Sequence, residues 1–333
     1  MIESIEFKNF KALRDAKLPL SQFTLIVGPN GSGKSTALNS IPVFTSAHRW
    51  NWQALQTAGV SLDAPVSIAI KWAEKDNGYT ITTTWDQTAS PNPVFQPDSQ
   101  NRTKNTQLPW AAFHGAQIFS LDPRVIAQPV PLRPQMELDP SGLGLAGVLD
   151  QLRDVSPEYF EALNEQLGHW IPEFDRILFE TPSQGLRSIA LRTREGPHSI
   201  RAVDLSQGTL IALALLTIAY LPEPPSIVCL EEPDHGLHPR LLRDVRDALY
   251  RLAYPEGAQE KREPVQVIAT THNPYFLDLF REHPEEIVIA EKVGLDARFS
   301  RLSDRADLEE ILGDAPLSEV WYSGVLGGVP AGT

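Results

Sequence analysis

Residues Gly28-Pro-Asn-Gly-Ser-Gly-Lys-Ser-Thr36 decide how this sequence folds. They match the pattern G-x-x-x-x-G-K-[ST], in which glycines let successive backbone N–H groups point inward at phosphate oxygens. An apolar strand over residues 23–27 precedes the loop, and a helix is expected over residues 34–41. The positive end of that helix dipole would also face the phosphates. The stretch therefore predicts a nucleotide site in an α/β fold.

Two side chains of this loop have specific expected roles. Lys34 would place a positive charge near the β- and γ-phosphates, and the Ser35 hydroxyl would hold Mg²⁺. Nucleotide contacts are expected from seven residues, namely Asn30, Gly31, Ser32, Gly33, Lys34, Ser35 and Thr36.

The composition of the 333 residues limits the classes of partner. The net charge is −13, from 42 acidic and 29 basic residues, which argues against a broad nucleic-acid-coating surface and leaves a local basic groove open. The single cysteine, Cys229, lies in an apolar run, so no intrachain disulfide forms and a reducing cytoplasm fits. The opening residues read as a strand rather than an export signal, and the longest apolar run, residues 210–221, is too short to cross a bilayer. A cytoplasmic protein without a membrane partner is therefore expected.

Local patterns predict the elements before residue 140. Two strands are expected before the loop, and alternating residues 66–72 and 79–85 around Asp76-Asn-Gly78 predict an antiparallel hairpin. The proline-rich interval 90–140 has no period, which predicts a long surface insertion that either contacts a partner or substrate or is a tolerated loop. No sustained heptad pattern occurs between residues 37 and 204, which excludes a long coiled-coil arm.

The remaining chain reads as helices followed by strands. Helices are predicted over 143–153 and 157–170, and strands over 177–180, 187–192 and 198–203. The aromatic and small residues of 319–328 predict either a docking tail for a partner or a strand or hook that closes the core. We expect a single domain over residues 1–333, with an irregular and helical segment inserted at 86–180.

The sequence Leu205-Ser-Gln-Gly-Thr209 opens an almost wholly apolar helix that is expected to end at Leu221. Ser206 is a good helix N-cap, and Gly208 leaves room for a phosphate to approach free backbone N–H groups. Alone, such a motif is weak. Its position between the phosphate loop and an acidic strand end makes it more specific.

Two further motifs follow buried strands. The strand over residues 226–230 ends in Glu231-Glu232-Pro233, where Glu231 would reach Mg²⁺ directly or through water and Glu232 would orient or deprotonate the attacking water. The strand over residues 265–271 ends in His272, which could donate a hydrogen bond to the γ-phosphate and sense its loss.

The order of these four motifs resembles ABC-type ATPases, and within them the SMC/RecF/OLD-like group. The opening residues Ile5-Glu-Phe-Lys-Asn-Phe-Lys11 look like the start of that group, and Glu231-Glu-Pro-Asp-His-Gly-Leu-His-Pro239 resembles its acidic motif. The resemblance implies the fold class: an α/β P-loop NTPase, specifically an ABC-type ATPase head with an antiparallel β subdomain and a helical and irregular insertion.

The resemblance also implies a mechanism. Two subunits would meet head to tail as a homodimer and sandwich two ATP molecules with Mg²⁺, and hydrolysis would release them. Lys34, Glu232 and His272 would be the catalytic residues, and Ser35 and Glu231 the metal ligands. Ser206, Gln207 and Gly208 would contact the ATP of the other subunit. Small relatives of this kind work in DNA-repair or anti-phage modules beside a separate nuclease or effector, so such a protein partner is expected and DNA is a possible ligand.

Three departures from the wider ABC pattern keep alternatives open. Glu231 stands where many relatives have Asp, and His238 stands where the transporters have an aspartate. The glutamine that completes the Mg²⁺ site has three candidates, Gln87, Gln117 and Gln128. The alternatives are the ATPase subunit of a membrane transporter and a scaffold that holds ATP without hydrolysing it.

Overall fold

The structure, a computed structural model, describes residues 1–45, 50–61, 63–73, 78–86, 94–97, 115–196, 198–258, 260–313 and 315–327. The chain groups into two compact units. The first comprises Met1–Gln117, Ser226–Cys229 and Pro264–Thr333, and the second comprises Ile118–Pro225 and Leu230–Glu263. The expectation of one domain with an insertion at 86–180 stays a prediction.

The strands and α-helices have the following bounds. The strands are β1 (Ile2–Phe10), β2 (Leu13–Pro19), β3 (Phe23–Val27), β4 (Val66–Trp72), β5 (Tyr79–Trp85), β6 (Val94–Pro97), β7 (Ala116–Phe119), β8 (Val130–Pro131), β9 (Phe174–Glu180), β10 (Leu186–Thr193), β11 (Ser199–Arg201), β12 (Ile227–Glu231), β13 (Gln266–Thr271), β14 (Ile287–Val293) and β15 (Asp296–Arg301). The helices are α1 (Lys34–Leu38), α2 (Ser40–Thr45), α3 (Trp52–Leu55), α4 (Pro123–Ile126), α5 (Leu145–Val155), α6 (Pro157–Trp170), α7 (Gln207–Ala219), α8 (Leu242–Ala253), α9 (Pro274–Asp278), α10 (Leu308–Leu312) and α11 (Leu317–Tyr322).

An antiparallel sheet of order β2-β1-β4-β5-β6 forms part of the first unit. Strands β4 and β5 pair from Val66 opposite Trp85 to Trp72 opposite Tyr79, which confirms the predicted hairpin. Asp76 and Asn77 of its turn lie outside the described residues. Alternate residues of both strands are buried, as period-two patterning requires.

Three strands precede the phosphate loop, so the prediction of two was wrong. The additional strand is β2, which pairs antiparallel with β1 from Leu13 opposite Phe10 to Pro19 opposite Ser4. The buried residues of β2 are separated by charged ones, and the strand ends at Pro19. These two features made it difficult to predict as a separate strand.

A six-stranded sheet has the order β15-β14-β3-β13-β12-β7. Strands β3 and β13 pair in parallel and are buried at every position, as are strands covered on both faces. The predicted strands at 226–230 and 265–271 are confirmed as β12 and β13, each beginning one residue later.

The helix predicted over residues 34–41 is divided into α1 and α2. The division has a local cause in Pro42, which lacks an N–H donor and whose ring would clash with the carbonyl of Leu38 in a continuous helix. The Ser40 hydroxyl donates to the Ala37 carbonyl at the break, at 2.6 Å.

The interval 90–140 is not a plain surface insertion. Strand β7 belongs to the six-stranded sheet. Phe119 and Ile126 are each only 1% exposed to solvent. Pro123 stands at the first turn of α4, where Asp122 caps the helix by accepting from the Arg124 N–H at 2.8 Å. At least one proline of this interval therefore marks a helix start. Residues 98–114 lie outside the described chain.

The second unit contains α4 to α8 and the strands β8 to β11. Strand β10 pairs antiparallel with three strands. It pairs with β9 over residues 188–193, with β11 over residues 190–192, and with β8 at residues 186 and 187. The predicted helix at 157–170 is confirmed at both ends, and the one at 143–153 begins and ends two residues later. The last predicted strand is shorter than expected, because a 3₁₀ turn begins at Ala202.

The C-terminal stretch is helical, so its described residues do not form the strand that was one of the alternatives. Helix α11 ends at Tyr322, and Asp278 accepts hydrogen bonds from both the N–H and the hydroxyl of Ser318, at 2.7 and 2.6 Å. The docking-tail alternative stays a prediction. In the described part of the chain, no helix is long and apolar enough to cross a membrane.

Candidate nucleotide site

The phosphate loop of the first unit has the backbone that its glycines predict. Gly31 and Gly33 have φ angles of 79° and 96°, in the left-handed region that glycine adopts without cost. Gly28 is required for a different reason, since a Cβ there would lie 2.2 Å from the Ala290 carbonyl oxygen. Helix α1 begins directly after Gly33, so its free N–H groups line the loop.

Polar side chains of the loop are directed into it. Lys34 is buried, and its Nζ donates to the carbonyls of Gly28 at 2.7 Å and Pro29 at 3.0 Å. The Ser32 Oγ is buried and has no hydrogen-bond partner among the described residues. An orphaned hydroxyl beside a glycine-rich turn fits a phosphate oxygen, which would satisfy it.

His272 leaves the sheet beside this loop. Thr271, the last residue of β13, pairs with Val27, the last residue of β3. The phosphate loop starts one residue after Val27, and His272 is one residue after Thr271. Both therefore follow the same pair of residues on adjacent parallel strands. Asn273 fixes the backbone that follows, because its N–H donates to the Thr271 hydroxyl at 2.9 Å and its side chain caps α9.

The two acids lie in the second unit, at the end of β12. Glu231 is the last residue of the strand, and its Oε1 is buried without a hydrogen-bond partner in the described chain. Glu232 is partly exposed and has a φ angle of 45°, an unusual value for a residue with a side chain. Its carbonyl accepts from the His235 N–H at 2.9 Å.

The acids fit Mg²⁺ better than a metal with many protein ligands. No group of three or more His, Cys, Asp or Glu side chains in the described residues is placed to hold an ion. Mg²⁺ is commonly held by one or two carboxylates together with nucleotide phosphates and water. The orphaned Glu231 Oε1 is an oxygen of this kind.

Helix α7 presents the Leu-Ser-Gln-Gly motif at its N-terminus. Ser206 is the N-cap, as predicted, and its Oγ accepts from the Thr209 N–H at 3.1 Å. Residues 209–219 are all buried, so nearly the whole helix packs inside the protein. The helix ends at Ala219 rather than at Leu221 as predicted. Gly208 packs on the segment that follows the acids, since a Cβ there would lie 2.8 Å from the Gly236 carbonyl oxygen.

An open cavity of about 560 Å³ adjoins this motif within the second unit. Three chain segments line it: residues 170–173, residues 206–209, and the segment that contains Gly236, His238, Arg240 and Leu241. The sequence motifs identified the second segment and noted His238. Arg240 was missed, because an arginine after a proline carries no signal without the cavity.

The remaining predicted residues are less informative. Asn30 and Ser35 are exposed or partly exposed in the loop, and Thr36 is partly buried in α1. Of the glutamines considered for the metal site, Gln117 lies in β7 and Gln128 is exposed after α4, whereas Gln87 lies outside the described residues. The metal-site glutamine therefore stays unassigned.

Comparisons with known proteins identify relatives of this chain. The family described as "AAA domain, putative AbiEii toxin, Type IV TA system" matches residues 101–278, and the one described as "AAA ATPase domain" matches residues 1–105. A curated relative is the OLD nuclease of Thermus scotoductus, which is 22% identical over 330 residues covering 84% of this chain. The chain spans 60% of the length of that relative.

Two solved structures resemble the fold at low identity. The SMC head domain from Thermotoga maritima has a TM-score of 0.49 at 17% identity, covering 90% of this chain and 98% of its own. The recombination mediator protein RecF, as RecF-ATPrS, has a TM-score of 0.47 at 12% identity, with the same coverage. The family matches and the OLD relative support the predicted resemblance to ATPases of the OLD-like group, and the α/β fold class is confirmed.

Proposed function

Because the chain belongs to the family of AAA domains that matches residues 101–278, we propose that it is an ATP hydrolase acting as an ATP-gated dimeric switch. In this proposal, two copies meet head to tail and hold two ATP molecules between them. Hydrolysis then separates the copies, so the bound nucleotide controls the assembly.

The observation that carries the proposal is the register of two parallel strands. Val27 and Thr271 are paired, so the phosphate loop and His272 leave the same end of β3 and β13. Ligands of α/β folds bind at the carboxyl ends of strands. A histidine in that position can donate to a γ-phosphate and respond to its departure.

The loop residues would bind the phosphates. The backbone N–H groups of residues 30–36 would surround the β-phosphate, and Lys34 would exchange its contacts to the Gly28 and Pro29 carbonyls for phosphate oxygens. The Ser32 hydroxyl would gain the partner that it lacks.

The acids would act on the attacking water. Glu232 would accept a proton from that water and hold it in line with the γ-phosphorus. Mg²⁺, held through Ser35 and Glu231, would neutralise phosphate charge when bound.

The signature residues would act on the nucleotide of the other copy. Ser206, Gln207 and Gly208 form the exposed or partly exposed N-terminus of a 13-residue helix, which favours an anion. In the proposal, they face an ATP molecule held by the phosphate loop of the second subunit.

The biological setting that we propose follows from the relatives. The OLD relative is a nuclease by name, and this chain spans 60% of its length. We propose that the ATPase works in the cytoplasm, in a DNA-repair or anti-phage module, with a separate nuclease or effector as partner and DNA as a possible ligand. The purified chain would then not cleave DNA with Mg²⁺.

The test uses Glu232→Gln, which keeps the shape of the side chain and removes the base. We expect hydrolysis to fall by about 10²–10⁴-fold, the usual contribution of a general base. ATP binding should persist, and the variant should form a stable dimer with ATP in analytical ultracentrifugation. Lys34→Ala is the matched control, which should neither bind ATP nor dimerise.

Three results would count against the proposal. An E232Q variant that binds ATP and stays monomeric would refute the sandwich, and undiminished hydrolysis would refute the role of Glu232. Wild-type hydrolysis should also be measured with double-stranded DNA and single-stranded DNA, and stimulation by either would support the repair or defence setting. Cleavage of DNA by the chain itself would contradict the separate nuclease.

A further inference from the structure

The cavity beside the signature motif contains a cation that the proposed mechanism does not use. Arg240 is the one arginine or lysine among the described residues that line it, and its side chain is exposed. It forms no ion pair with a carboxylate in the described chain. Asp244, four residues along, is near enough for the Arg240 charge to oppose the rise in its pKa. Arg240 therefore presents a guanidinium to the same cavity as Ser206 and Gly208.

The backbone that carries Arg240 is fixed against the signature motif. His238 caps the 3₁₀ turn Pro239–Leu241, its Nδ1 accepting from the Arg240 N–H at 3.2 Å. Two residues earlier, the Gly236 carbonyl lies so close to Gly208 that no Cβ would fit between them. The turn and the start of α7 thus form one continuous surface, on which the position of Arg240 is set relative to Gly208.

The charge of the protein makes a cation on this surface important. Each copy carries a net charge of −13, and ATP adds further negative charge. Two like-charged copies repel one another as they approach, and a guanidinium is well suited to phosphate because it donates in a planar fork. Glu173 also lines the cavity from the segment 170–173, so the cationic side of the cavity is the side of Arg240.

We propose that Arg240 binds phosphate oxygens of the ATP held by the second copy, and so acts across the interface as a trans-acting cation. This inference rests on the proposed dimeric switch and adds a substrate contact to it. The guanidinium would stabilise the charge on the transferred γ-phosphoryl group. It would also strengthen the nucleotide-dependent contact between copies.

The central experiment compares Arg240→Ala with Arg243→Ala. Arg243 is an exposed arginine three residues along that does not line the cavity. We expect R240A to lower kcat by at least about tenfold, a conservative figure for loss of an arginine that contacts transferring phosphate. R243A should retain wild-type kcat. ATP affinity of the monomer should be unchanged in both, since the phosphate loop is intact. Arg240→Lys should recover part of the activity, because lysine keeps the charge and loses the fork.

A readout independent of hydrolysis is the dimer itself. In the E232Q background, adding R240A should weaken ATP-dependent dimerisation by at least about tenfold in ultracentrifugation, by loss of a charge-assisted contact. Adding R243A should leave it unchanged. If E232Q dimerises normally and R240A changes neither dimerisation nor kcat, the inference on Arg240 is wrong and the switch stands. If E232Q itself fails to dimerise with ATP, the switch has failed first.

Mixing two variants shows in which copy Arg240 acts. A mixed dimer of R240A and K34A subunits has one site composed of an intact phosphate loop and an intact Arg240 from different copies. We expect an equal mixture to hydrolyse more ATP than the two variants do separately, because each mixed dimer is held by the one ATP in the R240A phosphate loop and has one complete site. A mixture of K34A with Ser206→Arg should behave in the same way and serves as the reference. Recovery in the reference mixture alone would show that Arg240 acts within its own copy and overturn the inference.

Discussion

Gln266 joins the start of the chain to the central sheet of the first unit, and its replacement by leucine is the sharpest test of the fold. The side chain is 3% exposed and makes three hydrogen bonds to backbone. Its Oε1 accepts from the Ile2 N–H at 2.8 Å, and its Nε2 donates to the carbonyls of Ile2 at 2.7 Å and Ser21 at 2.9 Å. Leucine has a similar size and can make none of them.

The expected loss follows from these bonds. At about 1 kcal/mol net for each buried hydrogen bond, the three sum to about 3 kcal/mol, and the backbone groups of Ile2 and Ser21 left without partners add about 1 kcal/mol more. Burial of an apolar leucine returns roughly 1 kcal/mol. The net expectation is a loss of about 3 kcal/mol in the local opening free energy of β1.

Hydrogen exchange of residues 1–10 measures this quantity directly. A loss of 3 kcal/mol corresponds to exchange about 100-fold faster, at 1.4 kcal/mol for each factor of ten. The matched control is Gln22→Ala, which removes one partly buried bond to the Val265 carbonyl at 2.8 Å and should change exchange by about tenfold at most. Equal exchange in Q266L and Q22A would refute the reasoning.

Two other changes test the second unit. Gly208→Ala places a Cβ 2.8 Å from the Gly236 carbonyl oxygen and should cost about 1–3 kcal/mol of stability by overpacking, seen as a lower Tm. Gly257→Ala, with open space around its Cβ, is the control, and equal Tm values would contradict the tight contact. Burial, followed by the Asp247 charge, raises the pKa of Asp244. The stabilisation that goes with this raised pKa is complete below the unfolded pKa and is lost as pH rises through the folded value, so Asp244→Asn should gain Tm relative to wild type between pH 3 and 7. A difference in Tm that is constant with pH would contradict this sign.

The sequence predicted those features whose cause is local. The phosphate loop needs glycines at set spacings, and Ser206 caps a helix whose apolar run is continuous. The alternation of apolar and polar residues in β4 and β5 predicts a hairpin. The Glu231 and His272 positions followed from the buried strands before them. Each of these depends on residues within a few positions of one another.

Features that depend on distant residues were not predictable in this way. The role of Gln266 depends on Ile2, which is 264 positions away in the sequence. The residues around each of them do not predict that the two form hydrogen bonds. Strand β7 joins a sheet whose other strands lie far along the chain, so its short sequence read as part of a loop. The role proposed for Arg240 depends on the cavity that it lines together with the first residues of α7. Pro42, by contrast, is a local signal, because a proline interrupts the helix predicted over residues 34–41.

The backbone at Glu232 records a conflict between folding and chemistry. A φ angle of 45° is costly for a glutamate, by about 1 kcal/mol, and glycine would relieve it. Selection for stability alone would therefore remove the carboxylate on which the proposed hydrolysis depends. A screen for thermostable variants without an activity filter would be drawn toward glycine at this position, and its hits would be more robust proteins with a silenced site.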